Sequence, residues 1–159
     1  MVRLLFDEMV KKTAKWARLF GVDSECAKGS DTEILRHART SKRILVTRDN
    51  NLAARAPKYK VKAVLLTSLA IPEQLFSIEK ALRKQVFRFP EATRCPACNG
   101  ILTIVSRQEV VGKVPDGVYS KQERFWVCKK CGKIYWEGGH WKNITRVYNE
   151  LKRKRELTT

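Results

Sequence analysis

Residues 43–49 read Arg43-Ile44-Leu45-Val46-Thr47-Arg48-Asp49. A short apolar run closed by charge on both sides predicts a strand buried in a sheet, with Ile44, Leu45 and Val46 as its core. The same pattern stands at the start of the chain, where Val2 to Phe6 is an apolar run that ends on Asp7. Between the two strands, Glu8 to Phe20 carries Met9, Thr13, Trp16, Ala17 and Phe20 at helical spacing, and Gly21 closes the helix. Val22 to Ala27 reads as a further short strand. Ser30-Asp31-Thr32-Glu33 has the capping-box pattern and opens a helix with Ile34, Leu35 and Ala38 on its apolar side. Beyond Asp49, Leu52 to Arg55 predicts one helical turn and Val61 to Leu66 a strand. Pro72 opens a helix carrying Leu75, Ile78, Leu82 and Val86. Strands alternating with helices imply an α/β unit, a parallel sheet with helices on both faces.

Composition narrows the function. The chain has 159 residues, 43% of them apolar, enough for a real core and too many for wholesale disorder. No apolar run approaches the length of a membrane span. The first residues, MVRLLFDEMVKK, break their apolar run with an acidic pair, unlike a signal peptide. The expectation is a cytoplasmic protein without a disulfide framework or a membrane partner. Thirty-three Lys and Arg stand against sixteen Asp and Glu, a net charge of +17 spread over the whole chain. A highly charged solvated surface is one explanation, but such surfaces usually balance both signs. A surplus of this size points to a polyanion, in the first place nucleic acid.

The pattern changes near Phe89-Pro90. A boundary at residues 88–94 divides the chain into residues 1–90 and 91–159. The second part holds Cys95-Pro96-Ala97-Cys98-Asn99-Gly100 and Cys128-Lys129-Lys130-Cys131-Gly132-Lys133, two C-x-x-C knuckles. Two residues between thiolates let a tight turn aim both sulfurs at one ion, and a nearby Gly permits the positive φ of such turns. Four thiolates fill a tetrahedral zinc site and leave no position for a reacting water, so the zinc is expected to be structural. Disulfides or redox pairs are the competing explanation. The 29 residues between the knuckles suggest an extended hairpin through Ile101–Val105 and Phe125–Val127. Cys26 is left over as a small buried hydrophobe. His140 to Arg155 reads as a last helix whose basic end, Lys152 to Arg155, is expected to fray.

Three acids stand out by position. Asp7 and Asp49 each end a strand, and Asp31 starts a helix. In an open parallel sheet the strand C-termini share one edge, where ligands bind. Carboxylates gathered there suit Mg²⁺ or Mn²⁺, ions that activate water and stabilise the oxygens of a phosphodiester displacement. Each of the three also sits where a helix N-cap belongs, and a cap needs no catalysis. Glu33 has its own role in the capping box.

These residues resemble a known family. Leu4-Leu5-Phe6-Asp7-Glu8-Met9, Trp16 to Asp23, Asp31-Thr32-Glu33-Ile34-Leu35 and Arg43 to Asp49 are similar to the mut-seven C-terminal RNase domain family. Arg94 to Gly100 and the block Phe125 to Trp141 continue the likeness, which runs from about Val2 to Ile144. The resemblance implies a PIN-like nuclease fold followed by a zinc ribbon, and divalent-metal RNA cleavage by clustered acids. Carried over residue by residue, the acids are Asp7, Asp31 and Asp49, with Glu8 and Glu33 as weaker neighbours. Many related PIN-like sequences have a further acid just after Thr-Arg-Asp, where this chain has Asn50 and Asn51. Gly138-Gly139-His140-Trp141 stands where the family often shows Gly-Ser-His-Trp.

A phosphodiester substrate must also be held. Arg48 is placed to reach a scissile phosphate, or else to pair with a neighbouring acid. Lys11, Lys12 and Lys15 share a helix near the first acid and either track the RNA backbone or form a solvated face. In the ribbon, Tyr119, Phe125, Trp126, Tyr135, Trp136 and Trp141 are interleaved with Lys121, Arg124, Lys129, Lys130, Lys133 and Lys142. Aromatic faces stack unpaired bases, although about half of these rings are expected to be structural. Lys130, Lys133 and Trp136 are expected to contact the RNA from the ribbon. The expected function is metal-dependent hydrolysis of single-stranded RNA, with a homodimer or ribosomal association as the candidate assemblies. The alternative is a non-catalytic zinc-ribbon module that binds RNA or associates with the ribosome.

Overall fold

The computed structural model describes residues 1–90 and 93–159. Glu91 and Ala92, on which the expected boundary falls, lie outside the described residues. Four parallel strands, β1 (Arg3–Phe6), β2 (Asp23–Cys26), β3 (Ile44–Thr47) and β4 (Ala63–Leu65), form one sheet in the order β2-β1-β3-β4. Successive side chains of a strand point to opposite faces, so each strand feeds two cores. Leu4, Phe6, Val46 and Val64 face one layer of helices. That layer contains α1 (Lys11–Leu19) and α4 (Ile71–Leu82), through Ala14, Ala17, Leu75 and Ile78. Leu5 and Leu45 face the other layer, formed by α2 (Asp31–Thr40) and α3 (Asn50–Arg55) through Ile34, Leu35, Ala38 and Leu52. The expected α/β class is therefore observed.

Several boundaries differ from expectation for local reasons. The segment after Asp7 begins as a 3-10 turn, Glu8–Val10, and becomes α-helical only at Lys11. Helix α4 stops at Leu82 because Arg83 turns left-handed, with φ of 51°; Val86 packs on the core from outside the helix. Capping of α2 is done by Ser30, whose side chain accepts from the Glu33 amide while Glu33 accepts from the Ser30 amide. Asp31 is thus the first helical residue and not the cap.

The second part contains an antiparallel sheet, β5 (Leu102–Val105), β6 (Phe125–Cys128) and β7 (Ile134–Trp136), in the order β5-β6-β7. The expected hairpin of Ile101–Val105 with Phe125–Val127 is its first pair. The intervening α5 (Asp116–Lys121) has no clear signal in the sequence. The last helix, α6 (Trp141–Leu157), returns to the first sheet and buries Val147 and Leu151 in its core. Its basic end does not fray. Arg155 donates to both carboxylate oxygens of buried Glu79 at 2.7 and 2.8 Å and to the Phe87 carbonyl, and Lys154 pairs with Glu73. Among the described residues, no helix is long and apolar enough to cross a membrane.

Candidate functional site

Strand order creates the site. The chain leaves β1 for β2 on one side, then crosses to β3 on the other. The crevice beyond the C-terminal ends of β1 and β3 is therefore the switch point, the usual ligand position in such sheets. Phe6 pairs with Val46 across this junction, and the next residues on the two strands are Asp7 and Thr47. Asp7 is 5% exposed. The Thr47 hydroxyl donates to its Oδ2 and accepts from the Asp49 amide at 2.9 Å. One hydroxyl thus positions both acids. The Asp49 side chain accepts from the amides of Asn51 and Leu52 at 2.8 and 3.1 Å, so Asp49 caps α3 as well.

Asp7 stands at the N-cap position of the turn that follows, but no bond of full hydrogen-bond geometry joins its side chain to that turn. Its Oδ1 is buried without a hydrogen-bond partner. Burial pushes the Asp7 carboxyl above its ordinary range, and the nearby charge of Asp49 adds to this. The Thr47 hydroxyl and the amides of Met9 and Val10 oppose the shift without cancelling it.

The other acids stand apart from this pair. Asp31 is ion-paired with Arg55 at 3.4 Å and is half-buried. Arg55 also donates to Thr32. Asp7, Asp31 and Asp49 do not converge as closely as the four cysteines do. Among the described residues, those four cysteines alone form a group of three or more metal-type ligands; Cys26, expected to be buried, is exposed at the end of β2. Glu8 is exposed in the turn after Asp7, and Glu33 is committed to Ser30. Asn50 and Asn51 are exposed beside Asp49.

Arg48 is half-buried, and its Nε is buried without a partner. Lys11, Lys12 and Lys15 are exposed on α1, which starts four residues after Asp7. Lys130 and Lys133 are exposed around the second knuckle, and Trp136 is half-buried in β7.

The four sulfurs of Cys95, Cys98, Cys128 and Cys131 lie within 4.8 Å of one another. Two of the separations are 3.7 Å, Cys95 to Cys131, and 3.3 Å, Cys98 to Cys128. A tetrahedral ion with bonds of ~2.3 Å needs sulfurs ~3.8 Å apart, so the four could share one zinc. The Tyr135 hydroxyl donates to the Cys95 sulfur at 3.0 Å, a second-layer bond of the kind that orients metal ligands. The two knuckles solve their turns differently. Gly132 takes φ of 77° in the second. In the first, Asn99 takes φ of 69°, and Gly100 is needed for space: a Cβ there would lie 2.7 Å from the Cys128 sulfur.

Asn99 also docks the first knuckle onto the sheet. Its Oδ1 accepts from the Ser24 amide on edge strand β2 at 3.0 Å, and its Nδ2 donates to Asp23 at 2.8 Å. Arg18 of α1 donates to the Pro96 carbonyl at 2.8 Å. Asp23 also pairs with Arg43 at 2.7 Å and with Arg3 at 3.4 Å. Arg3 begins β1, whereas Asp7 follows its end. This docking point and the acid pair therefore sit at opposite ends of the parallel sheet, ~13 Å apart along the strand. Sequence reading misses the roles of Thr47, Tyr135 and Asn99. In the sequence, Thr47 and Tyr135 are only parts of motifs, and Asn99 is only the residue after a cysteine.

With this geometry in place, the wider comparisons fit it. The model of the Mut7-C RNAse domain family matches residues 2–148, nearly the whole chain, and the chain belongs to that family. No curated protein and no solved structure matches it.

Proposed function

We propose that the chain is a metal-dependent ribonuclease that hydrolyses single-stranded RNA, with Asp7, Asp31 and Asp49 as its acids. The observation that carries this reading is Oδ1 of Asp7, a carboxylate oxygen buried at the switch point, beside Asp49, without a donor. An unsatisfied buried polar atom costs ~1–3 kcal/mol, more if charged, and a cation removes that cost. The donors are hard oxygens, which suit Mg²⁺ or Mn²⁺. Mg²⁺ commonly takes only one or two carboxylates and fills its other positions with waters and phosphate oxygens. Such an ion, when bound, polarises the phosphoryl group and activates water for in-line attack.

The chain's own residues do the rest. Thr47 fixes both inner carboxylates by bonding to Asp7 and to the amide of Asp49. Asp31 serves as an outer acid, whose pair with Arg55 has to open before it joins the site. Arg48 offers an unpaired guanidinium N–H to a phosphate oxygen. Lys11 and Lys15 steer the RNA backbone along α1, while Lys130 and Lys133 hold it at the ribbon and Trp136 stacks on a base. Zinc on the four cysteines keeps the ribbon folded, and free thiols at such a site belong to a reducing cytoplasm.

A second reading is favoured by Asn50 and Asn51, which are exposed beside Asp49 where an acid would complete a fuller metal site. It makes the chain a non-catalytic RNA-binding or ribosome-associated module. The deciding experiment is cleavage of end-labelled single-stranded RNA with Mn²⁺ or Mg²⁺ by wild type, Asp7→Asn and Asp49→Asn, with zinc content checked. Metal-dependent cutting lost in both variants at unchanged RNA affinity supports the nuclease. Equal binding without cleavage in all three refutes it.

A further inference from the structure

A cavity of about 370 Å³ opens where β7, the start of α6 and the end of α1 meet. Tyr135, Trp136 and Trp141 supply rings to its wall, Leu19 and Ile144 supply aliphatic surface, and His140 a polar edge. Its size is within the range of small-ligand pockets, which are mostly apolar with a few polar groups. One wall is held rigidly. The Trp141 ring stacks on Trp126 at 5.7 Å and 20°, and lies 5.0 Å from Phe89. Phe89 in turn meets Phe20 and Tyr148 of the core layer. Trp141 is thereby held as a rigid edge of the cavity, and a wall that is already ordered loses little freedom when a flat ligand enters beside it.

The surrounding charge selects the ligand. Exposed Lys133 precedes the lining residue Ile134, and exposed Lys142 follows Trp141. The nearest acid in sequence, Glu137, is paired with Arg124 at 3.6 Å. A flat ring attached to an anionic chain fits apolar aromatic walls whose neighbours in the chain are exposed lysines, in a protein of net charge +17.

We propose that this cavity holds one unpaired nucleobase of the RNA, a binding subsite separate from the acids. The proposal rests on the reading of RNA as substrate. Leu19, at the end of α1, lines the cavity. The acid pair lies beyond the other end of the same helix, whose nine residues span ~13 Å. RNA seated in the cavity thus meets the acids several nucleotides away, and the ribbon fixes where along the strand cutting occurs.

The test uses the full zinc-loaded chain and Gly139→Leu. Gly139 lines the cavity, and a Cβ there meets no atom within 4 Å, so the substitution crowds the opening without strain in the fold. Trp136→Ala is the second variant, with melting and zinc content as folding controls. The probes are a single-stranded oligoribonucleotide and an abasic ribose-phosphate chain of the same length. Wild type is expected to bind the RNA roughly 5- to 150-fold more tightly than the abasic chain, the worth of one stacked base. Both variants are expected to bind RNA weakly and the abasic chain as wild type does. RNA binding that is equal for both probes and unaffected by either folded variant overturns the subsite and leaves the nuclease reading intact. Failure of wild type to bind either probe overturns both.

Discussion

Asp7→Asn separates a strained ligand from a structural acid. In the metal-free protein, burial and the neighbouring Asp49 hold the Asp7 carboxyl above its ordinary value of 3.8. An acid with a raised folded pKa binds more protons folded than unfolded between the two values. Stability therefore falls as pH rises through that window, and the loss is complete above the folded value. Asparagine keeps an oxygen to accept from Thr47 and removes the charge. At neutral pH without divalent ions, the variant is expected to be more stable than wild type, by no more than the ~1–3 kcal/mol that a buried unsatisfied polar atom costs, with one unpartnered amide group limiting the gain. The gap should narrow as pH falls towards the ordinary carboxyl range. Added Mn²⁺ should reverse the order, because ligand binding stabilises wild type by RT ln(1 + [L]/Kd) and leaves the variant unmoved. Urea denaturation of both proteins, with and without Mn²⁺, over a range of pH that keeps zinc bound, reads all three effects. A variant less stable than wild type at every pH, and no response of wild type to Mn²⁺, would refute the reasoning and make Asp7 a structural anchor for Thr47.

The other acid and the zinc site give further expectations. Asp49→Asn retains an oxygen for the amides of Asn51 and Leu52, so its stability should match wild type while cleavage is lost; Asp49→Ala should also lose about 1 kcal/mol with the cap. Comparing the two by urea melts and RNA cleavage separates capping from chemistry. Tyr135→Phe removes the hydroxyl bonded to Cys95 and should weaken zinc binding roughly 10- to 100-fold in a chelator competition. Arg155→Ala leaves the Glu79 carboxylate, 4% exposed, without its cation, and should cost about 3–5 kcal/mol in a denaturant titration; a change below about 1 kcal/mol would mean that α6 is held by its other contacts, Val147 and Leu151 foremost, and not by this pair.

Much of the fold is legible in the sequence because its signals are local. Ile44-Leu45-Val46 is too apolar and too short for anything but a covered strand, and Ser30 with Glu33 announces the start of α2. The cysteine spacing likewise places four sulfurs together with no knowledge of the rest. What stays hidden depends on register and on docking. Asp7 and Asp49 look alike as strand-ending acids, yet one is buried with an orphaned oxygen and the other caps a helix. That difference arises from Thr47, which meets Asp7 only because β1 and β3 pair in one register. Asp31 carries a different signal, that of a helix start, and nothing in the sequence shows that it meets Arg55, 24 residues later. The basic end of α6 looks solvated in the sequence because Glu79, its partner, lies 76 residues earlier.

The position of the ribbon argues against treating it as an independent appendage. Asn99 adopts a left-handed φ to complete the first knuckle, and the same side chain satisfies the free amide of Ser24 on the sheet edge. Zinc geometry and sheet geometry thus converge on one residue. Asp23 strengthens that link: its carboxyl is held below the usual range despite burial, by hydrogen bonds from Arg43 and Asn99 and the charges of Arg43 and Arg94. Protonating an acid whose folded pKa is lowered costs stability as pH falls through that value, so acid should loosen the knuckle from the sheet as well as the strands from one another. Asn99→Ala tests the coupling. If the ribbon is docked through this residue, the variant loses stability in the parallel sheet and zinc affinity together. If zinc affinity falls while the urea midpoint of the sheet is unchanged, the two units fold separately and the contact is incidental.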